Sequence, residues 1–320
     1  MKQGTVVFCV IILAFLTGCT ISAESGELEK AGLLLPYTYD DEGWNRKGYQ
    51  GLLHVHASMD VDVYVEEDIR TTEAVREAVQ RFADEGVNLV FGHSTIYAEP
   101  IMEISGDFPD LHFISVNGEV SGENITGLHF QGYAMGYFAG MLAGKMSDTG
   151  TVAVIGAEEW QPEAAGFADG ALFAADNMKV HTGFTGSWID EEAALKLHKE
   201  FKDAGADVFY PAGDGFHVAI VEQVKADHDY AIGYVGDQLD LGEATVLTST
   251  VQEVERLYRR VAEKFDAGEL DSGNRYYDFT EGLVSLGDYG RDVPEDLRKW
   301  LDGYVEIYEE TGKLPFEIEE

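Results

Sequence analysis

Short apolar strands alternate with amphipathic helices along most of this chain, and this alternation constrains its fold more than any other feature. Strand patterns occur at residues 31–35, 87–91, 111–116, 151–155, 206–210 and 230–235. Residues 71–83 lie between the first two, and their apolar residues recur at helical spacing, at Ala74, Val75, Ala78, Val79 and Phe82. Alternating strands and helices predict parallel sheets with helices on both faces, which is an α/β fold.

One of these units occurs twice in the sequence. Residues 82–91 (FADEGVNLVF) match residues 201–210 (FKDAGADVFY). Each segment consists of a helix end, a glycine that stops the helix (Gly86 or Gly205) and a buried strand. The repeat predicts two similarly built lobes.

Small and polar residues follow four of the predicted strands, at residues 92–94 (GHS), 117–118 (NG), 213–215 (GDG) and 236–238 (GDQ). Ligands of open α/β sheets bind beyond the carboxyl ends of the strands. Each loop alone is equally well explained as a turn that needs Gly, Asn or Asp. The four together predict a binding cleft, with Asn117, Asp214, Asp237 and Gln238 as candidate ligand contacts.

The N-terminus has the pattern of a secretory signal, since Lys2 precedes an apolar segment at residues 5–16 that is too short to span a bilayer. Residues 16–19 (LTGC) resemble the bacterial lipobox, in which the peptide is cut before the cysteine and the new N-terminus carries lipid. We therefore predict a signal peptide at 1–18, lipidation at Cys19, a tether at 19–28 and a domain on the outer face of a membrane. An ordinary cleaved signal with a chance cysteine is the alternative.

The charge balance excludes one class of partner. The chain has 22 Lys and Arg residues against 59 Asp and Glu residues, which gives a net charge of −37 and argues against direct binding to nucleic acid. The other cysteine, Cys9, leaves with the signal peptide, so no disulfide is expected.

Longer motifs resemble the basic membrane protein (BMP) family of substrate-binding lipoproteins. They are found at residues 39–45 (YDDEGWN), 124–125 (NI), 166–171 (GFADGA), 186–190 (GSWID), 205–208 (GADV) and 236–238 (GDQ). The stretches at 210–215, 232–235 and 246–252 are similar to bacillar members that are linked to activation of competence gene expression.

The resemblance implies a periplasmic-binding-protein type I fold, with two Rossmann-like lobes, three crossings and a ligand cleft between the lobes. We expect lobe 1 to comprise residues 28–125 plus 249–284 and lobe 2 to comprise residues 126–248 plus 285–320. The family's known ligands are purine nucleosides, and its members work with ABC permeases.

A purine is a flat ring with polar edges, so it needs an aromatic clamp and a carboxylate or amide in the plane of the base. The resemblance places Tyr39 and Trp188 on the two faces of the ring, and Asp40 and Asn45 at its edge. Trp44 also occupies the position of a family Phe, and Trp160 is a further wall residue.

The ribose half of the site departs from the family pattern. Val235 and Asn117 stand where nucleoside binders have acids, and Gln252 stands in place of a lysine. Asp237 and Gln238 are the residues that would compensate. A free base or another flat ligand therefore fits the sequence as well as a nucleoside does.

Other site types are weakly supported, and no cofactor or metal is predicted. His54 and His56 lack further ligands at metal-site spacing. No nucleophile motif supports an enzyme. The glycines at 132, 136 and 140 predict a buried helix packed on a sheet. Two functions are favoured, namely capture of a purine-like ligand for ABC-type uptake or sensing, and indirect positive regulation of competence from the membrane. A hydrolase acting on a nucleoside is a third hypothesis, and only the clustered acids motivate it.

Overall fold

The computed structural model describes residues 27–40 and 43–318, and these form two α/β lobes. The lobe 1 sheet contains, in spatial order, β2 (Asp62–Glu66), β1 (Lys30–Leu34), β3 (Leu89–Gly92), β4 (His112–Val116), β5 (Ile125–Phe130) and β11 (Gly273–Tyr277). All neighbouring strands in this sheet are parallel.

The lobe 2 sheet contains, in spatial order, β7 (Lys179–Phe184), β6 (Thr151–Gly156), β8 (Val208–Ala212), β9 (Tyr230–Val235), β10 (Val246–Gln252) and β12 (Val284–Leu286). Only β12 is antiparallel to its neighbour. In both sheets the second strand of the lobe is at the edge, followed by the first, third, fourth and fifth. The predicted pair of similarly built lobes with the type I architecture is confirmed.

Helices cover both faces of each sheet. Lobe 1 has α1 (Trp44–Met59), α2 (Thr72–Asp84), α3 (Ala98–Ile104) and α8 (Val254–Asp266). Lobe 2 has α4 (Gly132–Met146), α5 (Pro162–Ala174), α6 (Glu191–Asp203), α7 (His217–Ala226), α9 (Glu295–Thr311) and α10 (Pro315–Ile318). A buried apolar cluster lies on each side of each sheet, as expected for a layered α/β fold.

The repeated sequence unit adopts the same structure in both lobes. Gly86 and Gly205 follow α2 and α6 with φ of +80° and +103°, a region that favours glycine. The carbonyls of Phe82 and Phe201 each accept a hydrogen bond from the residue after that glycine, at 2.9 and 3.0 Å. The strands that follow, β3 and β8, occupy equivalent places in their sheets.

The chain crosses between the lobes after Phe130, after Gln252 and between β11 and β12. The sequence placed these crossings a few residues away, at 125/126, 248/249 and 284/285. They shift because β5 and β10 stay paired within their own sheets to their last residues, Phe130 with Tyr277 and Gln252 with Val284. Lobe 1 therefore includes all of β5, and lobe 2 includes all of β10.

The glycine-rich helix α4 is buried, but its glycines face a helix and not a sheet. A Cβ on Gly136 or Gly140 would collide with backbone carbonyls of Glu163 and Phe167 in α5. The reciprocal collisions arise at Gly166 and Gly170 of α5 with α4. The two helices thus pack backbone against backbone, while α4 also packs on the lobe 2 sheet as predicted.

The predicted signal peptide, the lipidation of Cys19 and most of the tether lie outside the described residues. Within 27–40 and 43–318, no helix has the length and apolar character needed to cross a bilayer.

Candidate functional site

A cavity of about 540 Å³ lies between the lobes, at the carboxyl ends of both sets of parallel strands. Lobe 1 contributes residues that follow β1, β3, β4 and β5, among them Trp44, Ser94 and Asn117. Lobe 2 contributes residues that follow β6 to β8, together with Tyr234 and Val235 at the end of β9 and Gln252 at the end of β10. The position of the cleft agrees with the expectation from the strand-end loops.

Eight Phe, Tyr and Trp side chains line the cavity. They come from both lobes, at Tyr37, Trp44, Phe130 and Tyr276 of lobe 1 and at Tyr133, Trp160, Trp188 and Tyr234 of lobe 2. The rings of Trp160 and Trp188 lie 6.2 Å apart, and Trp160 is 61% exposed at the mouth. Such a wall suits a flat, apolar ligand face.

Trp44 is held in place from behind by a buried histidine. Its indole stacks on the His93 ring at 4.2 Å. Nε2 of His93 lies 2.7 Å from the Trp44 carbonyl, so this nitrogen carries the proton and Nδ1 accepts from the Tyr258 hydroxyl at 2.6 Å. Burial lowers the pKa of His93 to about 3, against the opposing effect of the Trp44 carbonyl, so the imidazole is neutral.

Asp214 connects the two lobes. Its Oδ2 accepts a hydrogen bond of 2.7 Å from the backbone N–H of Trp44, the first residue of α1. The N-cap residue of that helix, Gly43, has no side chain to make this bond, and a Cβ at Gly43 would lie 2.5 Å from Asp214 Oδ1. A lobe 2 carboxylate therefore caps a lobe 1 helix across the cleft.

Glu163 lies at the start of α5, is 5% exposed and lines the cavity. Its Oε1 accepts hydrogen bonds from Gln161 Nε2 and from the Tyr234 hydroxyl, both at 2.9 Å. Burial, and secondly the Glu163 charge, raise the pKa of Tyr234 well above its usual value, so the hydroxyl remains a donor.

Gln252 and Val235 lie on the same lobe. The side chain of Gln252 is 6% exposed, and its buried Oε1 has no hydrogen-bond partner within the described part of the chain. Val235 has φ of +69°, and its flanking residues form the tight hydrogen bond Gly236 N–H to Tyr234 O at 2.9 Å. A β-branched residue rarely adopts this conformation, so the turn is strained beside the cavity.

Two of the predicted amides also reach the cavity. Asn45 in α1 is 4% exposed. Asn117 has φ of +61°, and its Oδ1 accepts a hydrogen bond of 3.1 Å from the Phe130 N–H at the first crossing. Asn117 therefore also orders the wall that Phe130 provides.

Six of the ten predicted ligand contacts are brought together in the cavity wall, namely Trp44, Asn45, Asn117, Trp188, Asp214 and Gln252. Trp160, which the sequence predicts as a further wall residue, also lines it.

The other four predicted contacts do not line this cavity. The Tyr39 ring stacks on Tyr49 at 4.1 Å, and Asp40 is exposed to solvent. Asp237 accepts from the backbone of Leu239 and Asp288, while Gln238 Oε1 accepts from the Tyr234 N–H. In this arrangement Asp237 and Gln238 make hydrogen bonds that order loops, and neither side chain lines the cavity in which we expect the ligand.

Sequence reasoning missed the wall residues Tyr37, Phe130, Tyr133, Glu163, Tyr234 and Tyr276. A signal was available for Glu163, because residues 158–163 (EEWQPE) follow a predicted strand just as the four selected loops do.

The cavity wall is acidic. None of the described residues that line it is Lys or Arg, whereas Glu163 and Asp214 are acids. No group of three potential metal ligands occurs within 27–40 and 43–318, and His54 and His56 lie on helix α1 with exposed side chains. The cavity thus offers aromatic faces and hydrogen-bond acceptors, which suit a neutral or cationic ligand.

Comparison with known proteins agrees with this geometry. A family model described as "ABC transporter substrate-binding protein PnrA-like" matches residues 28–314. The chain is 43% identical to the transcriptional activator protein med of Bacillus subtilis (strain 168), over 97% of both proteins. It is 25% identical to a purine-binding protein of Brucella abortus (strain 2308), over 95% of this chain and 87% of that protein.

Among solved structures, the chain is similar to a transcriptional activator of the comK gene from Bacillus halodurans. The TM-score is 0.85 and the sequence identity is 48%. The match covers 89% of this chain and 99% of that one.

Proposed function

We propose that this chain, which belongs to the Bmp family of PnrA-like ABC transporter substrate-binding proteins, captures a purine-like ligand between its lobes. The single observation that carries the proposal is the interlobe cavity of about 540 Å³ with aromatic walls from both lobes. Its size is within the range of small-molecule sites. The similarity to a purine-binding protein of Brucella abortus supports the ligand class.

The choice between base and nucleoside follows from the residues at the far end of the cavity. Val235 is apolar and Gln252 is uncharged, so the charge-assisted bonds that would hold ribose hydroxyls are not made by these two residues. We propose that the site has little preference for a nucleoside over the free base.

The proposal places the domain at the outer face of a membrane. Cys19 follows a lipobox-like sequence, and a diacylglyceryl group with a further acyl chain gives stable anchoring. Ligand would then pass to an ABC permease or be sensed at the membrane. Replacement of Cys19 by Ser should release the protein from the membrane fraction, and retention of this variant would contradict the anchor.

Mass spectrometry of small molecules released from the purified protein tests the ligand class directly. A thermal-shift panel of nucleobases, nucleosides, sugars and amino acids complements it. We expect mass spectrometry to identify a purine among the released molecules. In the thermal-shift panel we expect only purine compounds to raise the midpoint of thermal unfolding. A response only to sugars or amino acids would overturn the proposed ligand.

A second function is favoured by a separate observation. The chain is 43% identical to the med activator of Bacillus subtilis and 48% identical to the comK activator of Bacillus halodurans. With a net charge of −37, direct contact with DNA is disfavoured, so we propose that any regulation is indirect and starts at the membrane.

A comK reporter strain that lacks its own med separates the two functions. Restored reporter expression by the wild type supports regulation, and the Trp188→Ala variant then shows whether the cleft is needed. Purine uptake in the same strains measures transport. If expression of the wild type increases purine uptake but gives no reporter response, the regulatory function is excluded.

A further inference from the structure

Glu163 is a buried acid whose charge is compensated from one side only. It is the second residue of α5, where the helix N-terminus favours a negative charge. Both side chains that donate to it, Gln161 and Tyr234, bond to the same oxygen, Oε1. A carboxylate oxygen has room for further donors, so Oε2 retains its accepting capacity.

The oxygen Oε2 lies beside a glycine at the first crossing. A Cβ on Gly132 would collide with this oxygen, and Gly132 itself lines the cavity. Oε2 therefore lies at the cavity wall, in space that a side chain at residue 132 would fill. The carboxylate oxygen that receives neither of these side-chain hydrogen bonds thus belongs to a residue of the cavity wall and lies next to another, Gly132.

A second acceptor supports the same conclusion independently. Gln252 is 6% exposed and lines the cavity, and its Oε1 has no hydrogen-bond partner within the described part of the chain. A buried acceptor without a donor destabilises a protein unless a ligand or water supplies the donor. Lobe 2 thus presents two acceptors, and no described wall residue is Lys or Arg.

We propose that Glu163 determines the specificity of the site, since its Oε2 accepts an N–H or O–H group of a neutral purine-like ligand and repels anionic ligands. This inference rests on the proposed function and names the group within the site that selects among purine compounds. A nucleobase or nucleoside has N–H or O–H donors for this position. A nucleotide brings a phosphate into an acidic wall in which none of the described residues is Lys or Arg.

The test is calorimetry with adenine, adenosine and adenosine 5′-monophosphate on the full mature domain. We expect the wild type to bind adenine or adenosine at least one hundredfold more tightly than the monophosphate. Glu163→Gln should weaken the neutral ligand by about tenfold to one hundredfold, as expected for loss of a charge-assisted hydrogen bond. The same variant should reduce the ratio of the affinity for the neutral ligand to the affinity for the monophosphate by at least tenfold.

Glu159→Gln is the matched control, because it removes the same charge from an exposed position in the same loop. It should leave both affinities within twofold of the wild type. Gly132→Ala is a second variant, since its methyl group displaces Oε2 without changing charge, and alanine is well tolerated in a helix. This variant should also weaken binding of the neutral ligand tenfold or more. Its midpoint of thermal unfolding shows whether the variant is folded.

The outcomes separate the two levels of the argument. If the wild type binds none of the three probes, the proposed purine function fails, and this inference fails with it. If the wild type binds adenosine while Glu163→Gln and Gly132→Ala bind it as Glu159→Gln does, the role of Glu163 is wrong and the purine function stands.

Discussion

The two lobes have the same strand order, yet they hold their cleft helices in different ways. In lobe 2, Gly136 and Gly140 let α4 pack directly on the backbone of α5. In lobe 1, α1 packs on α8 through a ring, because a Cβ on Gly51 would lie 2.9 Å from Tyr258 Cδ2. The two lobes therefore share their topology but not the packing of these helices. A contact between two backbones has less freedom to adjust to a substitution than a contact with a side chain.

The same difference extends to the chemistry of the two cavity walls. Lobe 1 presents Trp44, which is backed by neutral His93 and Tyr258. Lobe 2 presents two acids, Glu163 and Asp214. Both walls carry aromatic rings, but among the described residues only lobe 2 adds carboxylates, so a ligand needs a flat face and donors together.

Gly140→Ala should produce the largest effect. Its Cβ would collide with the Phe167 carbonyl in α5, so the helices must separate, and we expect a loss of about 3 kcal/mol or more in the free energy of unfolding. Gly51→Ala should cost only about 1 kcal/mol, because the Tyr258 ring can shift. Urea denaturation of both variants measures the difference.

Gly303→Ala is the control for these helix substitutions. Gly303 lies in α9, and a Cβ there would meet nothing within 4 Å. This variant should therefore gain about 0.5–1 kcal/mol from helix propensity. Equal losses for Gly140→Ala and Gly51→Ala would show that the two lobes are packed with the same tolerance.

Trp188→Ala comes next and tests the aromatic wall. Loss of a ring that stacks on a base costs about 1–3 kcal/mol, so we expect purine affinity to fall about tenfold or more by calorimetry. The sequence-based resemblance predicts the same loss for Tyr39→Ala. The structure stacks Tyr39 on Tyr49 and puts Tyr37 in the wall, so we expect Tyr37→Ala to weaken binding more than Tyr39→Ala. The reverse order would restore Tyr39 as a ligand contact.

The fold was largely predictable because hydrophobic period and glycine stops are local signals. The repeat around Gly86 and Gly205 identified equivalent helix ends and strands in both lobes. The crossings were less predictable, since the ends of β5 and β10 are fixed by partners on distant strands, β11 and β12.

The site was predictable at strand ends and unpredictable where burial depends on distant residues. Glu163 is buried, and one of its hydrogen-bond donors is Tyr234, which lies 71 residues later in the chain. Tyr37 and Tyr39 are two residues apart in one short loop, and only the direction of that loop decides which ring faces the cavity. No local pattern in the sequence specifies either relationship.

His93→Gln should make stability less sensitive to acid. The pKa of His93 is lowered to about 3 in the folded protein, so unfolding takes up a proton below the ordinary pKa of 6.5. Its stabilising contribution is complete above pH 6.5 and falls by roughly 1.4 kcal/mol per pH unit as the pH decreases towards 3. Glutamine keeps one donor for the Trp44 carbonyl and one acceptor for the Tyr258 hydroxyl, but it does not take up a proton on unfolding. The part of the acid-induced loss of stability that His93 causes should therefore be absent in the variant.

Urea denaturation at pH 7.5 and pH 5.5 measures this change. The variant should lose about 1.4 kcal/mol less than the wild type over this interval. His112, whose burial lowers its pKa to about 4, keeps some acid sensitivity in both proteins. Exposed His54→Gln is the control and should follow the wild type. An unchanged pH dependence in His93→Gln would mean that His93 is accessible to protons in the folded state.

Asp214→Ala should have the smallest effect on stability but a specific effect on shape. Asp214 caps α1 from the opposite lobe, whereas Asp190 caps its own helix α6 by accepting from the Ala193 N–H at 2.9 Å. Each cap contributes about 1 kcal/mol.

Asp190→Ala should lower the free energy of unfolding and leave the contact between the lobes unchanged. Asp214→Ala removes a bond that exists only when the lobes meet, so it should open the ligand-free protein and raise its radius of gyration in small-angle scattering. If both variants scatter alike, the contact between Asp214 and Trp44 is a consequence of closure and does not help to maintain it.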